Sequence, residues 1–218
     1  MSSKPKRELF SHFAALARAL GHEHRLELLE HLGQGEQPVE ELAAATGLAF
    51  ANVSQHLQLL RRNGLVEARR AGKQVLYRLA EGPVVEAITA LRTLAEHNLD
   101  AVQSVIGSYF TKLDDLAPIA SAELLALLRD DTVTLIDVRP EAEYRAGHLP
   151  GARTVPLGEL EARIRDLPKD REVVAYCRGP YCVLSFEAVH LLRKHGMTAR
   201  RLRDGLPEWR AAGHPVVV

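Results

Sequence analysis

The two cysteines of the sequence, Cys177 and Cys182, are the residues whose type and spacing best suit chemistry. A cysteine reacts as the thiolate, which is both a nucleophile and a ligand for soft metal ions. In a reducing compartment, a closely spaced pair of thiols is more typical of reactivity than of a structural disulfide. We therefore predict that this pair is reactive, with Cys177 as the nucleophile.

The segment around Cys177 predicts a strand, a loop and a helix. EVVAY before it is typical of a buried strand, and CVLSFEAVHLLRKHG after it is typical of a helix. A loop of this kind can aim several backbone N–H groups at one point, and the helix adds the positive end of its dipole. Both stabilise a thiolate and would hold a persulfide, so we expect Arg178, Gly179 and Tyr181 to form a cradle for Cys177.

Helices and strands alternate through the part of the chain that surrounds this loop. SAELLALLR is typical of a helix, TVTLIDV of a buried strand, and another helix is expected after Pro140. The alternation predicts an α/β domain over residues 119–218, with a parallel sheet covered by helices on both faces. Ligands of such sheets bind beyond the C-terminal ends of the strands, which is where Cys177 falls.

Two segments that flank the loop point to one family. LIDVRPEAEYRAGHLPGARTVPL, residues 135–157, resembles the entry signature of rhodanese domains, and DGLPEWRAAGHPVVV, residues 204–218, resembles their exit signature. The resemblance implies transfer of sulfane sulfur through a persulfide on Cys177. The polar and aromatic signature residues are expected to cap and pack rather than to catalyse: Asp137, Arg139, Glu143, His148 and Trp209.

The loop departs from the common rhodanese form, in which a glycine and an arginine follow the cysteine at fixed positions. Pro180 stands at the glycine position and Cys182 at the arginine position. The loss of that arginine removes a cation for thiosulfate, which we expect Arg178 to replace in part. The added thiol of Cys182 can attack a persulfide on Cys177 and close a disulfide. Related phosphatases need an arginine where Val183 stands, which argues against phosphatase chemistry.

The first half of the chain predicts helices followed by a basic β-hairpin. Four helical segments end near residue 62, and LVEARR and QVLYRL then read as strands joined across Ala71, Gly72 and Lys73. This order predicts a mainly α winged helix-turn-helix domain over residues 1–108, with residues 109–118 as a linker. ALGHEHRLELLEHL, VEELAAATGL and VSQHLQLLRRNGLVEARRAGKQVLYRL resemble the ArsR/SmtB family of repressors.

The fourth helix is the candidate reader of the major groove. Its apolar face is expected to pack inward through Phe50, Val53, Leu57 and Leu60. The polar groups expected to reach base edges or phosphates are Asn52, Ser54, Gln55, His56 and Gln58. The cations expected to neutralise phosphates are Arg61 on this helix and Arg69, Arg70 and Lys73 on the wing.

A long helix is predicted over residues 83–108, with a nearly heptad apolar stripe from Val84 to Ile106. We expect this helix to form a homodimer, and the family resemblance likewise implies homodimers on imperfect palindromes of double-stranded operator DNA. The stretch GEQPVEELAAATGL lacks the cysteines that metal-sensing relatives place there, and the long helix has only one histidine, His97. We therefore expect no metal site and no cofactor.

Composition fits a cytoplasmic protein. The formal net charge is zero, and 26% of the residues are charged. We find neither an apolar run of the roughly 18 residues that a membrane span needs nor a signal peptide, so no membrane contact is expected.

These predictions combine into a repressor whose rhodanese domain senses reactive sulfur or redox state through Cys177, with a persulfide or thiosulfate as the small sulfur donor. One alternative is an active sulfurtransferase that carries sulfane sulfur on Cys177. Another is a soft-metal or arsenite sensor, although two thiolates alone leave such a site incomplete.

Overall fold

A computed structural model describes residues 3–218, and the chain forms two compact units that divide between Val84 and Val85. The helices of the first unit are α1 (Ser3–Leu20), α2 (Glu23–Gln34), α3 (Val39–Thr46) and α4 (Phe50–Arg62). Its strands are β1 (Gln37–Pro38), β2 (Val66–Ala71) and β3 (Gln74–Leu79), which form an antiparallel sheet in the order β1-β3-β2.

The tight turn between α3 and α4 centres on Gly47, whose positive φ of 69° a side chain would disfavour. It lets α4 bury Val53, Leu57 and Leu60 completely, as predicted. The prediction that Phe50 packs inward is wrong, since its side chain is 54% exposed. Phe50 opens the helix one turn before Val53, at a point that the core of the unit does not reach.

The predicted wing is confirmed as a β-hairpin. Strands β2 and β3 pair in antiparallel register from Val66 opposite Leu79 to Ala71 opposite Gln74. Gly72 and Lys73 form the two-residue turn, in which Gly72 has the positive φ that such turns need. The wing therefore places Lys73 at its tip.

The second unit begins with a broken helical segment: α5 (Val84–Asn98), α6 (Asp100–Val105), a π-helical turn (Ile106–Phe110) and α7 (Thr111–Leu113). The prediction of one continuous helix is therefore wrong. Leu99 has extended backbone (φ −114°, ψ 106°) between Asn98 and Asp100, two residue types that favour helix ends over helix interiors. Helical structure also reaches Leu113, inside the segment expected to be a linker without structure.

The rest of this unit is a four-stranded parallel sheet in the order β5-β4-β6-β7. Its strands are β4 (Val133–Asp137), β5 (Arg153–Thr154), β6 (Glu172–Tyr176) and β7 (Ala199–Arg201). Its helices are α8 (Ser121–Arg129), α9 (Glu141–Ala146), α10 (Leu157–Arg163), α11 (Val183–Lys194) and α12 (Leu206–Ala211).

Hydrophobic cores on both faces of this sheet confirm the predicted layers. Val173 and Ala175 of β6 point into one core, while Val174 and Tyr176 point into the other, as the two-residue period of a strand requires. Cys177 continues the alternation and joins the core of Val173 and Ala175.

A buried ion pair braces the C-terminal end of β4. The side chains of Asp137 and Arg139 are both fully buried, with Arg139 Nη2 2.6 Å from Asp137 Oδ2. Arg139 also donates to the carbonyl of Gly147, and the hydroxyl of Tyr176 donates to Asp137 over 2.5 Å. This network gives the signature residues Asp137 and Arg139 the structural role expected for them.

Within residues 3–218, no helix combines the length and the apolar character that a membrane span requires.

Candidate functional site

The candidate reactive site is the cysteine loop, residues 177–182, which joins β6 to α11. Cys177 directly follows β6, and Cys182 is the N-cap of α11. A disulfide joins the two residues, with their Cα atoms 6.1 Å apart. This separation meets the limit of roughly 7 Å within which two cysteines can be bridged. The side-chain surroundings are apolar, since Cys177 is 2% exposed and Cys182 is 8% exposed.

Backbone hydrogen bonds fold the loop into a tight turn. The N–H of Cys182 donates to the carbonyl of Gly179 over 3.1 Å. The backbone N–H and the hydroxyl of Ser185 both donate to the carbonyl of Cys182. The first turn of α11 therefore holds Cys182 at a fixed place relative to the end of β6.

Arg178 makes an ion pair inside the protein. Its guanidinium donates to both carboxylate oxygens of Glu143 in α9, at distances of 2.6 to 3.0 Å. The cation expected to attract an anionic sulfur donor is thus already neutralised by Glu143. Sequence reasoning gave Glu143 a capping and packing role and missed its contact with the loop.

Gly205, at the N-cap of α12, packs directly against the backbone of the cysteine loop. Sequence reasoning missed this contact. A Cβ atom at this position would overlap the carbonyl group of Arg178 and the amide nitrogen of Gly179. The only available signal was the exit signature, in which Gly205 follows Asp204. Its φ of −100° is open to any residue, so close approach rather than backbone conformation requires glycine here.

Replacing Gly205 with alanine is expected to destabilise this unit by about 1–3 kcal/mol, because the loop backbone would have to move away from the added methyl group. Denaturant unfolding monitored by fluorescence of Trp209 measures this change. Gly158→Ala is the matched control, since a Cβ there meets nothing within 4 Å and an alanine in α10 favours the helix. Equal stability of the two variants would contradict the proposed contact.

Tyr181 faces the outer side of the cysteine loop. Burial and the nearby carboxylate of Glu96 in α5 raise the pKa of the Tyr181 hydroxyl to about 12. Its ring lies 5.2 Å from the ring of Phe110, measured between centroids. Tyr181 therefore links the loop to the helical segment at the start of the second unit.

On α4, the predicted DNA-reading side chains differ in exposure. Asn52, Gln55, Gln58 and Arg61 are exposed, whereas Ser54 and His56 are half-buried. Gln58 donates to Ser54 over 3.4 Å. The exposed side chains form the face that a DNA groove could contact.

In the basic wing, the arginines Arg69 and Arg78 are held in ion pairs, and two further cations are exposed. Arg69 makes a bidentate hydrogen-bonded pair with Glu36, which raises the pKa of the Arg69 guanidinium. Arg70 and Lys73 are exposed, and neither has an ion-pair partner among the described residues. Within the wing, the charge predicted for DNA contact is therefore concentrated at Arg70 and Lys73.

Three histidines meet where α2 begins, a cluster that the sequence did not predict. The ring centroids of His22 and His56 are 4.7 Å apart, those of His22 and His24 5.2 Å, and those of His24 and His56 6.0 Å. Burial lowers the pKa of His56, and His22 and the nearby Arg25 lower it further. His56 is therefore neutral at pH 7.

Comparisons with known proteins support both halves. A family model described as a helix-turn-helix domain matches residues 20–69, and one described as a rhodanese-like domain matches residues 120–212. The HTH-type transcriptional regulator Rv0324 of Mycobacterium tuberculosis is 42% identical over 214 residues, which cover 98% of this chain and 94% of the relative.

Two relatives each match one half. The HTH-type transcriptional repressor SmtB of M. tuberculosis is 34% identical over 98 residues, covering 45% of this chain and 71% of that protein. A sulfurtransferase of Allochromatium vinosum is 36% identical over 88 residues, covering 40% of this chain and 80% of that protein. The chain belongs to the ArsR/SmtB-type HTH transcriptional regulators, as a member that carries a C-terminal rhodanese-like domain.

Proposed function

We propose that this DNA-binding regulator is a repressor whose rhodanese-like domain senses reactive sulfur. The observation that carries the proposal is the Cys177–Cys182 disulfide within the cysteine loop. It places Cys182 within bonding distance of Cys177, the residue that would accept sulfur in this fold. The DNA-reading unit has no cysteine of its own, so any thiol-based signal must come from the second unit.

The sensing chemistry consists of two balanced steps. The thiolate of Cys177 attacks the outer sulfur of a small persulfide, RSSH, and forms Cys177–S–SH while the thiolate RS⁻ leaves. The thiolate of Cys182 then attacks the inner sulfur, on Cys177, which forms the disulfide and expels HS⁻. In sum, the dithiol and RSSH give the disulfide, RSH and H2S, so the sulfane sulfur is the oxidant and is reduced to sulfide.

Mass spectrometry of the reduced protein tests this chemistry. Treatment with a persulfide donor should first add one sulfur atom to Cys177 in the Cys182→Ser variant. In the wild type it should remove two hydrogen atoms, because the loop closes to the disulfide. Sulfur carried on Cys182 in the Cys177→Ser variant, at the rate of wild-type loading, would reverse the assigned roles.

The regulator is proposed to bind double-stranded operator DNA in the cytoplasm as a homodimer through residues 83–108. The helical segment exposes large apolar side chains, which a second subunit would cover: Leu91, Leu94, Leu99 and Val105. Two recognition helices would then read half-sites about one DNA turn, roughly 34 Å, apart.

The wing tip is expected to supply sequence-independent affinity. Replacing Arg70 and Lys73 with alanine should weaken binding to all DNA sequences alike and reduce the salt slope by about one for each phosphate that is no longer neutralised. Titrations at several salt concentrations measure this slope. The double variant Glu36→Gln/Arg69→Ala, which leaves the net charge unchanged, is the control and should keep the wild-type slope. An unchanged slope after removal of Arg70 and Lys73 would exclude the wing from DNA contact.

Operator binding is expected to tighten as the pH falls from about 8 to 6. His56 is neutral in the free protein because its pKa is lowered, whereas a nearby DNA phosphate stabilises the imidazolium and raises this pKa in the complex. Binding therefore takes up a proton, which corresponds to as much as about tenfold in Kd per pH unit.

His56→Gln keeps a polar side chain but cannot titrate in this range, so its Kd should depend less on pH. His12→Gln, a change on α1 away from the histidine cluster, is the control and should keep the wild-type dependence. If His56→Gln retained the full pH dependence, the titrating group would lie elsewhere.

A second candidate function is catalytic sulfur transfer, which is favoured by the likeness to the sulfurtransferase of A. vinosum. Multiple turnovers from thiosulfate or a persulfide to a thiol acceptor, lost in Cys177→Ser, would establish it. A sensor instead needs only one loading event for each change in DNA affinity.

A further inference from the structure

Helix α5 lies against the rhodanese-like part of its own unit on the side where the cysteine loop is found. Its contact residues, Arg92 and Glu96, are one helical turn apart, with Arg92 Nε 3.7 Å from Glu96 Oε1. The carboxylate of Glu96 also lies near the hydroxyl of Tyr181, the residue that directly precedes Cys182. One end of this ion pair therefore lies beside the loop itself.

The other residue of this ion pair, Arg92, is linked to the loop through Glu208 and Gly205. Arg92 Nη1 lies 3.1 Å from Glu208 Oε1 of α12, and the second oxygen of Glu208 accepts from the N–H of Gly205 over 3.1 Å. Gly205 in turn is the residue on which the backbone of Arg178 rests. Arg92 thus contacts the support of the loop, while Glu96 contacts its outer side.

The end of the helical segment holds the same loop. Phe110 lies between Tyr181 and Phe186 of α11, with centroid distances of 5.2 and 4.8 Å. The buried Asp114 pairs with Arg201, whose Nη1 donates to the carbonyl of Pro180 over 3.4 Å. Both ends of residues 92–114 are therefore linked to the cysteine loop, through Glu208 and Gly205 at one end and through Phe110 and Arg201 at the other.

The loop cannot keep one geometry in both redox states. A disulfide holds two sulfur atoms about 2 Å apart, whereas two thiols need a van der Waals separation of about 3.5 Å or more. The buried setting leaves little space for this separation without movement of the backbone at Tyr181 or Cys182. Tyr181 is the residue whose side chain would carry that movement to α5.

We propose that helix α5 responds to the state of the cysteine loop through the Arg92–Glu208 ion pair and the neighbouring Tyr181 and Glu96 side chains, an inference that rests on the proposed sulfur-sensing function. Helix α5 begins at Val84, close after the wing strand β3 ends at Leu79, so the same helix is covalently continuous with the DNA-reading unit. Tyr181 and Glu96 are the positioning residues that couple the thiol chemistry to DNA binding.

Coupling of this kind is reciprocal. If the disulfide weakens operator binding, operator DNA must favour the dithiol and raise the midpoint potential of the Cys177–Cys182 couple. Each tenfold difference in operator affinity corresponds to about 30 mV for this two-electron couple. The potential is therefore a readout that a merely structural role of Tyr181 would not move.

The experiment compares the dithiol and disulfide forms of the full-length protein. Operator affinity and midpoint potential, with and without operator DNA, are measured for the wild type, Tyr181→Phe and Glu96→Gln. Tyr109→Phe removes a hydroxyl from an exposed tyrosine of the same segment and serves as the matched control. We expect the wild type and Tyr109→Phe to show the same ratio of affinities and the same DNA-induced rise in potential.

Tyr181→Phe and Glu96→Gln should still form the disulfide but lose most of the affinity ratio and of the rise in potential. The double variant Tyr181→Phe/Glu96→Gln should lose little more than either single change, because both changes act on the same neighbouring pair of side chains. If both single variants kept the wild-type ratio of operator affinities between dithiol and disulfide, the proposed coupling through Tyr181 and Glu96 would be wrong. The sensor proposal would remain intact. Equal operator affinity of the wild-type dithiol and disulfide would instead overturn the sensor proposal itself.

Discussion

Loading of sulfur onto Cys177 is expected to weaken operator binding by about 5- to 150-fold, the range of ordinary allosteric coupling. The physical reason is that a change in the cysteine loop alters the contacts of Tyr181 and, through them, helix α5. Operator affinity of the reduced protein is measured with and without a persulfide donor, alongside mass spectrometry of the same samples. Cys177→Ser should bind the operator but fail to respond.

The Cys182→Ser variant can form the persulfide on Cys177 but not the disulfide, so it shows which of the two changes DNA binding. If the disulfide is the signal, this variant accepts sulfur on Cys177 without releasing DNA. A full response in Cys182→Ser would make the persulfide the signal and discard the disulfide. Unchanged wild-type affinity despite verified loading would refute sensing and favour the sulfurtransferase.

Replacing Asp137 with alanine is expected to cost about 3–5 kcal/mol of stability, the largest loss expected for an ion pair within residues 3–218. The change leaves the guanidinium of Arg139 buried without its carboxylate and removes the acceptor of the Tyr176 hydroxyl. Chemical denaturation of the wild type and the variant measures the difference.

Glu141→Ala breaks an exposed ion pair with Arg145 and is the matched control. The side chains of that pair are 56% and 74% exposed, so its loss should cost no more than about 1 kcal/mol. The double variant Asp137→Leu/Arg139→Met should be more stable than Asp137→Ala, because it leaves no unpaired buried charge. Similar losses of stability in Asp137→Ala and Glu141→Ala would show that burial does not make the Asp137–Arg139 pair more important than an exposed pair.

The fold was largely predictable because its signals are local. The apolar run of EVVAY predicted a buried strand that ends before Cys177, and Gly72 with Lys73 marked the hairpin turn. Phe50 was misjudged because a helical period says which face a residue occupies and not how far along the helix the core extends. The break at Leu99 was missed because the apolar stripe runs through it without interruption.

The surroundings of the cysteine loop could not be predicted in the same way. Glu143, Gly205 and Glu96 reach the loop from distant parts of the sequence, and their contacts depend on how the helices pack over the sheet. Nothing in the residue types near Cys177 specifies those partners. Arg178 was expected to bind a ligand because its actual partner, Glu143, lies far away in the sequence, in helix α9.

Burial of the two sulfur atoms also governs how long a signal would last. A protein reductant must bring its own thiolate into line with the disulfide, and the apolar walls around Cys177 and Cys182 block that approach until the loop opens locally. Each 1.4 kcal/mol or so of opening free energy slows reduction about tenfold. A small sulfur species faces a lower barrier than a reductase, so the protein would switch quickly and reset slowly, keeping a molecular memory of exposure after the stimulus has gone.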